Sequence, residues 1–307
     1  MNGVKAFKNM SVSNRIFYLV STLFWIAIMF ITVYPLYLVL ISSVSDPNAL
    51  ALGQVTWRPI NVDFIGYKVI MQNDELWGSY LNSIIYVTAH VILSIFVTMT
   101  AAYATSRKDY VGRGVVNMYF VITMFISGGM IPAFLNIKKL GLYDTRAVLI
   151  ILGCVSVWNM MLGRTFIRSS IPEELYEAAV LDGASHFQYF FKVVMPLSKT
   201  IVAVIAVYSA VSKWNGYWEG LIYIKDRAKL PLQNILREIL ATMQASTDAL
   251  AMDELDSIAA MDMVYALRIA AVSKYCIIVV STVPVVILYM LMQKYFEKGV
   301  MIGSLKG

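Results

Sequence analysis

Six stretches of this chain are too apolar over too great a length to be the core of a water-soluble domain: Phe17–Ile41, Tyr80–Tyr103, Val115–Phe134, Ala147–Leu162, Thr200–Leu221 and Lys274–Met292. About 20 apolar residues carry a helix across a bilayer. Only helices and closed barrels satisfy their own backbone polar groups in hydrocarbon. The runs lack the alternation of a strand, so an all-α membrane protein with six transmembrane helices is predicted. Composition agrees, with 59% hydrophobic and 14% charged residues, against about 45–50% and about 25% in soluble domains. The length suits one membrane domain, 1–307, without a second, enzymatic one. The first run exceeds a signal-peptide core and no convincing small-residue cleavage site closely follows it, so it reads as a retained anchor. The fourth is short and contains Trp158 and Asn159, which leaves its ends open.

The net charge of +6 does not indicate nucleic acid, because the basic residues are scattered and form no aromatic-basic module. It reads as membrane topology. Lys5, Lys8 and Arg15 precede the first run, Arg107, Lys108 and Arg113 separate the second from the third, and Lys294, Lys298 and Lys306 follow the last. These belong on the cytoplasmic side, with both termini. The stretch 42–79 carries Asp46, Asp63, Asp74 and Glu75, and the stretch before the last run carries Asp248, Asp253, Glu254, Asp256 and Asp262, so both are expected outside. Lys138, Lys139 and Arg146 break the pattern. Cys154 and Cys276 sit in apolar surroundings without metal-ligand spacing and read as small hydrophobes. His90 and His186 are too far apart in sequence to seed a metal site or a nucleophilic triad.

Between the fourth and fifth runs lies a polar, helix-coded segment, 170–196, placed in the cytoplasm by the charge pattern. Ser170-Ile171-Pro172-Glu173 reads as a capping box with Pro172 in the first turn. The helix then runs through Glu174, Glu177, Ala178 and Ala179, past Asp182, and stops at Gly183, which tolerates the left-handed conformation. Ser185-His186-Phe187-Gln188 offers a second box. The next helix would place Phe187, Phe190, Phe191 and Val194 on one face, and Pro196 would mark the turn into the fifth run. Helical physics alone leaves an ordinary amphipathic surface loop open.

The order Glu177-Ala178-Ala179, three residues, Gly183, nine residues, then Val193-Val194-Met195-Pro196 resembles the docking loop of importer-type ABC permeases. Val193 and Met195 stand where that family commonly has Ile and Leu. Further likeness lies in Tyr34-Pro35-Leu36 at the end of the first span, Ser127-Gly128-Gly129-Met130-Ile131-Pro132, Trp214-Asn215, Pro231-Leu232-Gln233 with Leu236-Arg237, and the tail from Gln293-Lys294-Tyr295-Phe296 to Gly299 and Gly303. The chain looks most similar to the smaller permease of carbohydrate importers, near the lipoprotein-associated oligosaccharide permeases of Gram-positive bacteria. The resemblance implies a bacterial plasma-membrane protein that is not itself an enzyme. A second permease would form a heterodimer with it, two ATP-binding cassette subunits would receive the docking loops, and an extracytoplasmic solute-binding protein would deliver a carbohydrate, expected to be an oligosaccharide, which the two permeases would move by alternating access. ATP and Mg would sit on the partner ATPases, with no cofactor on this chain, which lacks a G-x-x-x-x-G-K-[ST] loop. The resemblance puts Glu177, Ala178, Ala179, Gly183 and Pro196 at the ATPase contact, Glu177 foremost, with Glu174 and Asp182 of the same acidic arm beside them, and the tail near Gly303 beside the ATPases.

Polar groups within the apolar runs mark a substrate path or glue helices together. Asn82 and His90 share a face of the second run, Asn159 lies on the fourth, and Trp214, Asn215, Tyr217 and Trp218 cluster with Lys213 late in the fifth. Aromatic faces and amides suit sugars. An interfacial aromatic belt, a packing role for His90 and a snorkelling Lys213 are the plainer readings. Pro35, Pro132 and Pro284 are candidate kinks. An ion- or proton-coupled carrier is the competing class, which would need intramembrane carboxylates or broken midplane helices. A membrane enzyme would need a catalytic cluster that the histidines do not supply.

Overall fold

The computed structural model describes residues 11–250 and 258–304, with side-chain surroundings for 11–242 and 264–293. Among these every regular element is helical. Lys5, Lys8, Asp253, Glu254, Asp256 and Lys306, used above for orientation, lie outside the described residues. The chain divides into two compact units, Met1–Gln72 with Leu240–Val280, and Asn73–Ile239 with Ser281–Gly307.

The first unit opens with α1 (Val12–Ser43), capped by Ser11. Its side chains stay exposed almost to the end, Phe17, Trp25 and Phe30 among them. A helix apolar all round yet uncovered is built for lipid. It continues through Tyr34-Pro35-Leu36 instead of ending there. Tyr37 Oη donates to the Trp57 carbonyl at 2.7 Å, and the Tyr34 and Trp57 rings lie 4.9 Å apart. Two short helices follow, α2 (Pro47–Ala51), capped by Asp46, and α3 (Ile65–Met71). Gly66 lies so close to Cys276 and Val272 that an added Cβ would fall 2.7 Å from the Cys276 Sγ. Both cysteines are buried free thiols.

The second unit is built on α4 (Asp74–Ser106), capped by Asn73. Among the described residues, only the first, second and last apolar runs form single helices long enough to span: Val12–Ser43, Asp74–Ser106 and Val264–Gln293. The third run is broken. α5 (Arg113–Phe125) and α6 (Met130–Lys139) meet at 116°. Gly129, at φ +84°, makes the turn that a side chain would resist, and Pro132 sits harmlessly in the first turn of α6. The fourth run is also interrupted, between α7 (Arg146–Ile151) and α8 (Val157–Ser170), with Gly153 at φ +78°. α9 (Glu174–Leu181) and α10 (His186–Leu197) form the elbow. α10 meets α11 (Lys199–Asn215) at 81°. The fifth run stops at Asn215, and α12 (Trp218–Tyr223) resumes beyond Gly216. α13 (Leu232–Leu250) and α14 (Ile258–Ser304), with Pro284 inside, complete the order.

The freed backbone groups find side-chain partners, as hydrocarbon demands. At the fourth-run break His90 Nδ1 hydrogen-bonds the Ile150 carbonyl at 2.8 Å and Lys213 Nζ donates to the Leu152 carbonyl at 3.1 Å. Lys213 does not snorkel: it is ion-paired with Glu219 of α12, across the Gly216 break. The main core joins Met99, Ala102 and Tyr103 of α4 to Met160 and Ile167 of α8, Tyr189, Phe190 and Val194 of α10, and Ile201 and Ile205 of α11.

Two stability tests follow from these contacts. A Cβ on Gly163 would lie 3.2 Å from the Ala102 Cβ, so Gly163→Leu should cost about 1–3 kcal/mol. Gly78→Leu, facing open space, should leave the melting temperature in detergent unchanged; equal melting of both variants would rule out this close helix crossing. Glu219→Gln should lower the melting temperature by stranding a lysine whose side chain is 9% exposed, at about 3 kcal/mol. Adding Lys213→Met should recover part of that loss. No recovery would mean that Glu219 acts independently of the lysine.

Candidate functional site: the docking elbow

The elbow is built from local signals. α8 continues to Ser170, so the expected box at Ser170 does not form: Ser170 is inside the preceding helix, and α9 starts at Glu174 with Glu173 as an N-cap whose side chain makes no capping bond. The end of α9 follows expectation. Gly183 adopts φ +74°, its N–H donates to the Val180 carbonyl at 3.0 Å, and the Ala184 N–H reaches the Ala179 carbonyl at 2.9 Å. This pair of bonds is a Schellman closure. Ser185 and Gln188 then form the reciprocal capping box predicted for the second arm.

The second arm departs from its expected face. A π-helical turn over Phe190–Val194 inserts a residue into the repeat. Tyr189, Phe190 and Val194 are buried, whereas Phe187 is 76% and Phe191 51% exposed. Two of the four aromatics and aliphatics assigned to one face therefore point away from the core, because α-helical spacing does not apply across a π turn. Pro196 is exposed near the end of α10, one turn before the 81° bend.

α9 buries none of its residues. Glu174, Glu177, Ala178 and Asp182 are exposed, and among the described residues neither Glu174 nor Glu177 has an ion pair. Ala179 and Tyr176 lean on the core. Leu181, at 89% exposure, and Phe187 present apolar surface on either side of the bend. Between the arms lies a groove of about 360 Å³, lined by Ala179, Asp182, Gly183, Gln188, Lys192 and Val193 among others.

Glu173 behaves differently from its neighbours, although sequence placed it with them. It is ion-paired to Arg107 at 2.8 Å and to Lys108 at 3.7 Å. The Arg107 guanidinium lies 3.5 Å over the Tyr176 ring centroid and 3.3 Å from Asp109. Tyr176 Oη donates to Asp109 at 3.2 Å. Burial alone would lower the Arg107 pKa, but Glu173 and Asp109 raise it overall. Burial would raise that of Asp109, yet its own backbone hydrogen bond and Arg107 bring it below the usual carboxylate value. Arg107 and Glu173 stand 66 residues apart, so no periodicity could have joined them.

The residues considered for a substrate path do not converge on one site. Asn82 is buried and donates to the Ala228 and Leu230 carbonyls. Asn159 is buried. Trp214 is 5% exposed, donates through Nε1 to the Ser281 carbonyl at 3.0 Å and lines an apolar cavity of about 330 Å³ with Ala210, Pro284 and Leu288. Asn215 and Trp218 are exposed, and Tyr217 is half-buried beneath Arg237, 4.2 Å from its ring centroid. Gly303 falls in the final residues of α14, beyond those whose surroundings are described.

Comparison with known proteins agrees with this architecture. Residues 91–302 match the family described as binding-protein-dependent transport system inner membrane component. A polygalacturonan/rhamnogalacturonan transport system permease protein of Bacillus subtilis (strain 168) is 32% identical, covering 96% of this chain and 99% of its own length. Protein LplC of the same organism is 31% identical over 96% of each chain. Its melibiose/raffinose/stachyose import permease is 27% identical over 81% of this chain and 83% of its own. In the crystal structure of a bacterial ABC transporter involved in the import of the acidic polysaccharide alginate, one chain superposes with a TM-score of 0.81 at 30% identity, covering 94% of this chain and 99% of that one. With 212 consecutive residues inside the family match and relatives aligned nearly end to end, this chain belongs to the binding-protein-dependent transport system inner membrane components, as an integral membrane permease of the ABC type.

Proposed function

We propose that this chain is one of two permeases in an ATP-driven importer of a carbohydrate, an oligosaccharide by analogy with the substrates named for its relatives. The observation that carries this reading is the elbow: a solvent-facing helix that fully buries no residue and presents Glu174 and Glu177, neither of which has an ion pair among the described residues. A carboxylate held in this way is set up for a charge-assisted contact with a basic cleft, and Ala178 lets that cleft approach closely. Family membership favours this over an ion-coupled carrier.

In this reading the elbow and both termini are cytoplasmic. Two ATPase subunits hold ATP and Mg, an extracytoplasmic solute-binding protein delivers the sugar, and a second permease completes the pore. ATP-driven closure of the ATPase pair brings the elbows together and opens the cavity outward; hydrolysis reverses it. This chain binds, positions and moves, and makes no covalent bonds.

The test is a pair of elbow variants in the full complex. Glu177→Lys should reduce ATP-driven uptake about tenfold or more, the weight of one charge-assisted hydrogen bond, while the chain still inserts. Gly183→Val should act similarly for a different reason. Its Cβ would meet nothing within 4 Å, so the penalty is the left-handed backbone alone, about 1–2 kcal/mol. Wild-type uptake in both variants would remove the docking role. A thiol at Leu181→Cys labelled only from the outer face of sealed cells would reverse the orientation.

A further inference from the structure

We propose that Arg107 is the positioning residue that fastens the first docking arm to the end of α4, so that displacement of the elbow reaches the membrane helices through this guanidinium as well as through the chain. This rests on the docking reading above and adds to it the route by which force leaves the elbow.

α9 fully buries no residue and leans on the core only through Tyr176 and Ala179, so polar contacts from neighbouring segments supply much of its hold. Its chain link to α8 is the extended pair Ile171-Pro172, a joint without helical continuity. Arg107 directly follows α4, and its side chain is only 12% exposed. Its Nη2 donates to Glu173 Oε1 at 2.8 Å and its Nε to Asp109 Oδ1 at 3.3 Å. The same guanidinium covers the Tyr176 ring, and Tyr176 Oη returns a hydrogen bond to Asp109 Oδ2 at 3.2 Å. Glu173 and Tyr176 belong to the arm, whereas Arg107 and Asp109 belong to the turn after α4. Three polar or cation–π contacts therefore cross one gap. A planar fork that pairs with a carboxylate while stacking on a ring is a task for arginine and poorly done by lysine. Lys108, 71% exposed and 3.7 Å from Glu173, adds little.

The second arm is tied to the same place. Tyr103 Oη and His186 Nδ1 share a hydrogen bond at 3.2 Å, and the His186 ring stacks on Tyr176 with 5.8 Å between centroids. Tyr103 and Arg107 are four residues apart, on one face at the end of α4. Both halves of the elbow thus anchor within one turn of α4. The arm's carboxylates divide their work, with Glu173 turned inward to Arg107 while Glu174 and Glu177 remain outward.

The test measures the arm against the α4–α5 turn. Nitroxides at Val111→Cys and Leu181→Cys, positions 93% and 89% exposed, report that distance by pulsed electron paramagnetic resonance. The complex is placed in nanodiscs, with and without MgATP and vanadate; the native cysteines are buried. The parent chain should give one narrow distance in both states. Arg107→Gln and Glu173→Gln should each raise the detached population about tenfold, the equilibrium weight of one charge-assisted hydrogen bond. The double variant should be no worse than Arg107→Gln alone, because that change already removes the pairing with Glu173. Arg107→Lys should restore the narrow distance in part. A parent-like distance in Arg107→Gln, or strictly additive losses, would overturn the latch. Should Arg107→Gln fail to insert, Glu173→Gln carries the same comparison from the exposed arm. Failure of any ATPase to co-purify with the parent chain would instead sink the docking reading, and the distance measurement on the chain alone would still judge the latch.

Discussion

A helix that breaks inside hydrocarbon frees amides and carbonyls that no water can satisfy, and α4 supplies partners for several such groups here. Asn82, Tyr86, His90 and Ser94 recur every fourth residue, a spacing that sets them along one side of the helix. Asn82 and Tyr86 hold the carbonyls of the segment 228–230, with Tyr86 Oη donating to Lys229 at 2.9 Å. Ser83, one position off the row, accepts the Leu232 N–H at 2.8 Å. His90 serves the end of α7, and Ser94 meets Ser209 of α11 at 3.0 Å. Within this row His90 serves the break in the fourth apolar run, while Asn82 and Tyr86, with Ser83 beside them, tie the segment 228–232 to α4. The row also gives the packing role read for His90 its partner, the Ile150 carbonyl, and gives Asn82 partners in the fold.

What was legible in the sequence was what is local or long. α1, α4 and the apolar part of α14 are long enough that a hydropathy window cannot miss them. The Schellman end at Gly183 and the box at Ser185-Gln188 are written within six residues, so their chemistry is complete on the page. The breaks in the third, fourth and fifth runs were illegible for the converse reason. A window about 20 residues wide averages Gly129, Gly153 and Gly216 into their apolar neighbours, although each lies in a break between two helices. The Ser170 box failed because α8 had a stronger claim on that serine, and the aromatic face of α10 failed because a π turn changes the repeat without a sequence signature. The family pattern placed the elbow as a whole but was silent on its attachment, since the Arg107–Glu173 pair joins segments that only the folded chain brings together.

The charged groups follow the same division. Lys213 and Glu219 lie late in the fifth apolar run, where a lone charge would be costly. Their pairing across the Gly216 break makes them a clasp between α11 and α12, with the lysine also closing the carbonyl end of α7. On the other side of α12, Asp144 accepts the Lys225 and Asp226 N–H groups at 3.1 and 3.0 Å. Those backbone bonds, the Asp226 one foremost, hold its carboxyl below the usual range. Lysine and carboxylate alike are consumed by architecture here.

At the elbow the opposite economy holds, and it bears on how a small helix can transmit a load. A surface helix of this length is marginal by itself, because helix formation in water needs roughly 12–15 residues or tertiary support. Burying it in the core would supply that support but would hide the face a partner must reach. The chain instead supports α9 at its ends and along one edge. The Schellman closure and the capping box fix the bend, Tyr176 and Ala179 touch the core, and Arg107 grips Glu173. The remaining surface stays free. On the proposed docking reading, a lever held at its edge by a short, directional ion pair would be stiff in the direction of pull and open on the face that receives the push, whereas a hydrophobic seat of equal strength would consume the surface that such docking needs.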